Sequence, residues 1–187
     1  MRAEKLQAGE VYHIYNRGVN RGDIFFSPEN WAFFLRRWQR LCTADQGETL
    51  AYCLMPNHYH LLVRVFTPDF GLRVMHPFTV SYTKAVNKQM GRVGPLFQGP
   101  FQAKRVETDE GLMYLSRYIH RNPVEAGLAR SPEDWAYSSY RDYIGLRAGR
   151  MVHPAAILSY FGYQEDYSKF VHSEVDNQII RKVLFGE

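Results

Sequence analysis

Apolar and polar positions along this chain change period several times, and each change marks an element. Val11-Tyr12-His13-Ile14-Tyr15 has the aromatic and β-branched make-up of a strand, and Asn16-Arg17-Gly18-Val19-Asn20-Arg21-Gly22-Asp23 after it is a polar loop punctuated by glycine, a candidate DNA contact. Trp31, Phe34, Leu35, Trp38 and Leu41 then recur at helical spacing, behind a start signal of Ser27 as cap, Pro28 at the first position and Glu29 in the first turn. Arg36, Arg37 and Arg40 fall on the other side of that helix, where charge ordinarily meets solvent, so they read as a solvated face rather than a DNA-binding stripe. Residues 49–54 and 58–66 are two strand-like runs joined by Met55-Pro56-Asn57, a turn sequence, and predict a hairpin with two histidines early in its second arm.

Further on, Pro77 divides the stretch 69–90, whose second half carries Val80, Lys84, Val86 and Lys88 ahead of the breaker Gly91 and reads as helix. Residues 91–105 hold too much Gly and Pro for a helix and predict an irregular loop feeding a strand. Thr108 caps the next helix, which turns Leu112, Leu115 and Ile119 inward and runs to about Asn122. The order strand, helix, strand, strand, helix, strand, helix predicts an α+β fold of the ferredoxin-like (RRM-like) kind, an antiparallel sheet with helices packed on one side. At 187 residues the chain fits one domain, with residues 1–150 as its body, 151–187 as a helical appendage and 173–187 as an amphipathic tail.

Composition narrows the function. Hydrophobic residues make up 45% and charged residues 22%, and no apolar run approaches the roughly 20 residues that span a bilayer. Met1-Arg2-Ala3-Glu4-Lys5-Leu6 lacks the apolar core of a secretory signal, so a cytoplasmic, nucleoid-associated protein without a membrane partner is expected. Cys42 and Cys53 have no C-x-x-C spacing and read as reduced core residues. A formal charge of +4 tilts toward an anionic partner. With 13 Tyr and 12 Phe, aromatic content is high; most pack a core, but aromatics interleaved with Arg and Lys also suit single-stranded nucleic acid.

The chemistry gathers in two segments. In a strand, His58 and His60 share one face and Tyr59 takes the other, which makes the imidazoles a ready metal pair. Seven histidines place an H-x-H somewhere by chance roughly one time in four, so the spacing alone does not separate a metal pair from ordinary hydrogen-bonded strand residues. On the 109–122 helix, Tyr118 and Asn122 are four apart on the shoulder of the apolar stripe, where Tyr118 can bring a hydroxyl to the histidines and Asn122 a third, neutral oxygen ligand. Two plainer readings compete: Asn122-Pro123-Val124-Glu125 is also a helix start with Asn as cap, and a helical tyrosine often just packs at the core edge. Three neutral ligands leave a divalent ion open positions, which fits Mg²⁺ or Mn²⁺ better than a closed structural zinc. A tyrosine nucleophile suits strand transfer, because phenolate, with an ordinary pKa of about 10, leaves a phosphotyrosine readily. No G-x-x-x-x-G-K-[ST] phosphate loop is present, consistent with cutting and joining without ATP.

At these residues the chain resembles the REP-associated tyrosine transposases, a branch of the single-tyrosine HUH transposases. The likeness rests on His13-Ile14-Tyr15-Asn16-Arg17-Gly18, Tyr52-Cys53-Leu54-Met55-Pro56-Asn57-His58-Tyr59-His60-Leu61-Leu62-Val63, Phe97-Gln98-Gly99, Tyr118-Ile119-His120-Arg121-Asn122-Pro123 and Tyr137-Ser138-Ser139-Tyr140-Arg141, in that order, within residues 11–172. The resemblance implies an HUH endonuclease domain in which His58 and His60 bind the divalent metal, Asn122 matches the position of a third ligand, and Tyr118 is the nucleophile. It implies cleavage of single-stranded DNA at palindromic repeat hairpins through a 5′-phosphotyrosine link, then strand joining. Asn16, Arg17, Lys104, Arg105, Arg117 and Arg121 are the candidates for contacts to the hairpin and its flanking guide bases. The chain departs from the family pattern at Pro100-Phe101-Gln102 and over residues 67–77. Relatives imply either a monomer with its tyrosine acting in cis or a homodimer acting in trans. The rival readings are a repeat-DNA-binding protein that does not cleave, and a rolling-circle initiator or relaxase-like nickase.

Overall fold

Six consecutive apolar residues, Leu50-Ala51-Tyr52-Cys53-Leu54-Met55, make the second strand too hydrophobic for a sheet with one wet face, and the fold covers both sides of it. The computed structural model describes residues 6–174, so the expected tail over 173–187 lies, from residue 175 onward, outside the described residues. The strands are β1 (Val11–Arg17), β2 (Gly47–Met55), β3 (His58–Val65) and β4 (Gln102–Val106). The longer helices are α1 (Pro28–Leu41), α2 (His76–Met90) and α3 (Asp109–Glu125), followed by the short α4 (Tyr140–Tyr143) and α5 (Ala155–Leu158) and by α6 (Gln164–His172). The sheet is antiparallel with strand order β2-β3-β1-β4, the ferredoxin-like arrangement the element order predicts.

Strand alternation sorts the core. Tyr59 meets Phe34 of α1 (ring centroids 5.2 Å apart) and Phe78 of α2 (6.5 Å), and Trp38 donates its indole N–H to Thr49 at 2.9 Å, so α1 and α2 share one face. The opposite face holds His58, His60, Leu62 and Arg64, and α3 packs there, with Tyr118 against His60. Helices therefore lie on both faces, not one as expected, because β2 and β3 are apolar on both. The β2 edge is covered too: Ser139 N–H donates to the Tyr52 carbonyl, His153 N–H to that of Thr49, and the Tyr143 hydroxyl to that of Leu50. Residues after 150 join the same core, where Ile157, Tyr167 and Val171 are buried.

Two prolines behave differently from their sequence reading. The helix is not interrupted at Pro77: a single π turn (Gly71–Met75) leads directly into α2, and Pro77 sits in its first turn, where a missing N–H costs little. Asn122 is not the cap of a new helix. It has an intrahelical carbonyl, accepting from Ala126 N–H at 3.0 Å, and α3 runs through Pro123 to Glu125. Pro123 removes its donor only in the last turn, just before Gly127 (φ 69°) ends the helix. The Thr108 cap is present, its hydroxyl accepting from Gly111 N–H at 3.0 Å.

Candidate active site

The site begins with a turn of two residues. Pro56-Asn57 joins β2 to β3, so that Met55 faces His58 and Cys53 faces His60 across the ladder. From there the period of two sends both imidazoles to the α3 face, with ring centroids 5.0 Å apart. On the other side of β3, β1 brings His13 alongside: its Nε2 lies 2.8 Å from His60 Nδ1, and the two rings stack at 5.0 Å. Tyr15 closes the cluster, 4.8 Å from His13 and 6.2 Å from His60.

Burial keeps these imidazoles neutral. Desolvation lowers His13 to about 3, with the Lys104 charge adding to it. His60 is held well below the ordinary histidine range by burial and by its two histidine neighbours. His58 is lowered by burial, partly offset by a hydrogen bond to the Asn122 side chain, which raises it. A neutral imidazole is the form that ligates a metal. His60 Nε2 is fully buried with no hydrogen-bond partner, an unusual state for a polar atom in a native protein and one that a bound group would relieve.

From the helix side, α3 supplies Tyr118, whose ring meets that of His60 edge-on at 5.6 Å, and one turn later Asn122, which contacts His58 and donates its Nδ2 to the Tyr118 carbonyl at 3.2 Å. The structure thus brings His58, His60, Tyr118 and Asn122 together within one chain. Among the described residues no three His, Cys, Asp or Glu side chains converge as a metal site, so an ion here would rest on two imidazoles and the Asn122 amide. Next to the histidines opens a cavity of about 620 Å³, lined among others by Tyr15, Arg17, Arg21, His58, His60 and Gln102. Its size is that of an ordinary small-molecule or nucleotide pocket.

The six residues expected at DNA separate. Arg17 is exposed at the cavity, its Nε donating to Gln98 at 2.6 Å, and Lys104 stands on the histidine face of β4, opposite His13. Arg105, its neighbour, points to the other face, where it pairs with Glu10 at 3.3 Å, so the two residues expected together stand on opposite faces of the strand. Arg117 is buried, only 2% exposed, and donates to the carbonyls of Phe170 and Ser173, so it fastens α6 to α3 and is not a DNA contact. Arg121 is tied to the Val171 carbonyl (3.1 Å) and to Glu125 (2.8 Å), a second strap of the same kind. Asn16 is buried and donates to the Gly99 carbonyl at 3.0 Å, shaping the cavity wall instead of reaching out of it.

The sequence assigned no role to His13, Asn57, Gln98 or Gln102 and marked Arg21 only as part of the loop expected at DNA; all five lie at or beside the cavity. His13 lies in a strand already recognised, but its cross-strand partner follows only from the β1–β3 register, with Tyr15 opposite His60. Arg21 carried a signal of its own, as part of the polar loop after β1, where it and Asn20 adopt positive φ (58° and 53°).

No protein-family model matches the chain. A protein of Haemophilus influenzae named "Putative REP-associated tyrosine transposase" is 29% identical over 117 residues, a match that spans 57% of this chain and 66%, just under two thirds, of the relative. A solved structure, "Structure of the REP associates tyrosine transposase bound to a REP hairpin", superposes with a TM-score of 0.60 at 18% identity and covers 82% of this chain and 93% of that one. The chain is thus similar in sequence to one REP-associated tyrosine transposase and has the fold of such an enzyme, solved with a REP hairpin.

Proposed function

We propose that this protein is a REP-associated tyrosine transposase of the HUH type, which nicks and joins single-stranded DNA at palindromic repeat hairpins. The observation that carries the reading is the buried, unpartnered Nε2 of His60 beside Tyr118 on α3, with His58 and Asn122 adjoining in the same chain. The likeness to a named REP-associated tyrosine transposase supports it.

His58, His60 and Asn122 would hold the divalent ion, Mg²⁺ or Mn²⁺, which when bound polarises the scissile phosphate. The chain's own residues do the rest. The Tyr118 oxygen attacks phosphorus and gives up its proton, forming a P–O(tyrosine) bond while the P–O3′ bond breaks; the departing 3′ oxygen takes up a proton. The product is a 5′-phosphotyrosine and a free 3′-hydroxyl, and attack by another 3′-hydroxyl reverses the step and joins strands. α3 sets the position of Tyr118, and the clamp of Arg117 and Arg121 onto the end of α6 holds α3. Arg17 and Lys104 offer positive charge to the phosphates on the side where the cavity opens.

Labelled single-stranded hairpin oligonucleotides from the DNA flanking the gene, incubated with Mn²⁺ or EDTA and run on a denaturing protein gel, test this. The label moves to protein size with Mn²⁺, stays free with EDTA, and stays free in Tyr118→Phe although that variant still binds the hairpin. An adduct at full yield in Tyr118→Phe sinks the assignment of the nucleophile. Tight binding with no adduct in the unaltered protein points instead to a repeat-binding protein that does not cleave.

A further inference from the structure

Two hydrogen bonds in series lead from the loop after β1 to His58. The Arg21 carbonyl can only accept, and it receives Asn57 Nδ2 at 3.0 Å. That contact fixes which way the Asn57 amide points, leaving its Oδ1, again an acceptor, 2.6 Å from His58 Nδ1. A neutral imidazole carries one N–H; the short contact to Asn57 Oδ1 claims it for Nδ1, with Asn122, the other side chain at His58, as the competing partner. The lone pair therefore lies on Nε2, the nitrogen free to ligate.

The loop is built to aim that carbonyl. Gly18 and Gly22 pack so closely that a Cβ on Gly18 would lie 1.9 Å from the Gly22 carbonyl oxygen. Asn20 and Arg21 both take left-handed backbone, which non-glycine residues rarely adopt. Gly18 N–H donates to the Asn57 carbonyl at 2.8 Å, tying the loop to the hairpin turn from the opposite direction. Arg21 meanwhile lines the cavity.

We infer that Asn57 is a positioning residue that locks His58 in its Nδ1–H form, so that the left-handed loop Gly18–Gly22 sets the ligating nitrogen of the site through its Arg21 carbonyl. This rests on the metal reading given above. It adds to that reading a residue outside the ligand set and a physical link from the loop to the metal-facing atom. An outer partner of this kind typically changes metal affinity on the order of 10- to 100-fold.

Two measurements on the full chain test it. In metal-free ¹⁵N-labelled protein, two-bond ¹H–¹⁵N correlation of the imidazoles, assigned with His58→Gln, shows His58 with a protonated Nδ1 and a bare Nε2; a dominant Nε2–H form overturns the inference whether or not metal binds. Calorimetric titration with Mn²⁺ then compares variants, with thermal melts to confirm folding. Asn57→Ala binds Mn²⁺ on the order of 10- to 100-fold more weakly, and Asn57→Asp, which keeps the turn and the acceptor, regains most of the affinity. Uptake by the unaltered protein that Asn57→Ala leaves unchanged overturns the inference alone, and an unaltered protein that takes up no Mn²⁺ overturns the metal reading with it.

Discussion

Two buried histidine clusters in this protein differ in how many of their ring nitrogens find a partner. His120 on α3 is completely buried, with Nδ1 2.7 Å from the Tyr167 hydroxyl and Nε2 2.8 Å from Ser139 Oγ, so both ring nitrogens are satisfied and the ring joins α3, α6 and the 138–139 segment. His60 is buried too and is likewise held neutral by that burial, yet only its Nδ1 has a partner. Burial and a lowered pKa are common to both and do not distinguish a site from a strut. The vacant nitrogen does, because leaving a buried polar atom unpaired costs about 1–3 kcal/mol unless something else binds there.

The largest expected effect crosses the two clusters. His58→Ala should cut Mn²⁺-dependent adduct formation on the order of 100-fold or more, with a melting temperature close to that of the parent. His120→Ala should lose about 2–4 kcal/mol of stability through a cavity and two lost buried hydrogen bonds, lowering Tm by several degrees, and still form adduct at temperatures where it is folded. A folded His120→Ala that forms no adduct would break the contrast.

Acid acts on both clusters with the same sign. An unfolded chain protonates its histidines near 6.5, whereas folded His120 and His13 stay neutral down to about 3, each through burial first and a nearby cation second. Their stability contribution is therefore complete above 6.5 and is lost as pH falls from there toward 3. Denaturant melts of metal-free protein across that window should show a slope that His120→Gln reduces by up to about 1.4 kcal/mol per pH unit, one proton's worth.

The smallest effect separates two neighbours on β4. Lys104→Gln, on the histidine face, should weaken hairpin binding modestly and lower its salt dependence by about one unit of slope, while Arg105→Gln, on the reverse face, should leave both unchanged. Equal effects from the two would show that DNA reaches around the sheet edge.

What could be read from sequence was what local period controls. The α1 stripe of Trp31, Phe34 and Trp38, the Thr108 cap and the common face of His58 and His60 all follow from spacing within a few residues, and the structure has them. What could not be read depends on residues far apart in the chain. Arg117 looks like a surface cation until the carbonyls of Phe170 and Ser173 arrive from 53 and 56 residues away. His13 becomes a partner of His60 only once β1 and β3 are in register, 47 residues apart. Asn122-Pro123 misled for a different reason: its cap-like chemistry is genuine, but α3 tolerates a proline in a last turn that a glycine is about to end. The alternation that separates Lys104 from Arg105 was available in the sequence and needed only to be applied to β4 as it was to β3.

The face assignment of β3 also bears on how safely the chain folds. A slip of one residue in this central strand would push both imidazoles into the aromatic layer of Phe34 and Phe78 and bring Tyr59, Leu61 and Val63 under α3. Each ring would then be buried among hydrocarbon with no acceptor for its N–H, a penalty large enough to reject the error. The histidine pair thus doubles as a fidelity check on assembly, since a sheet threaded out of step is disfavoured by the same two side chains that the site requires.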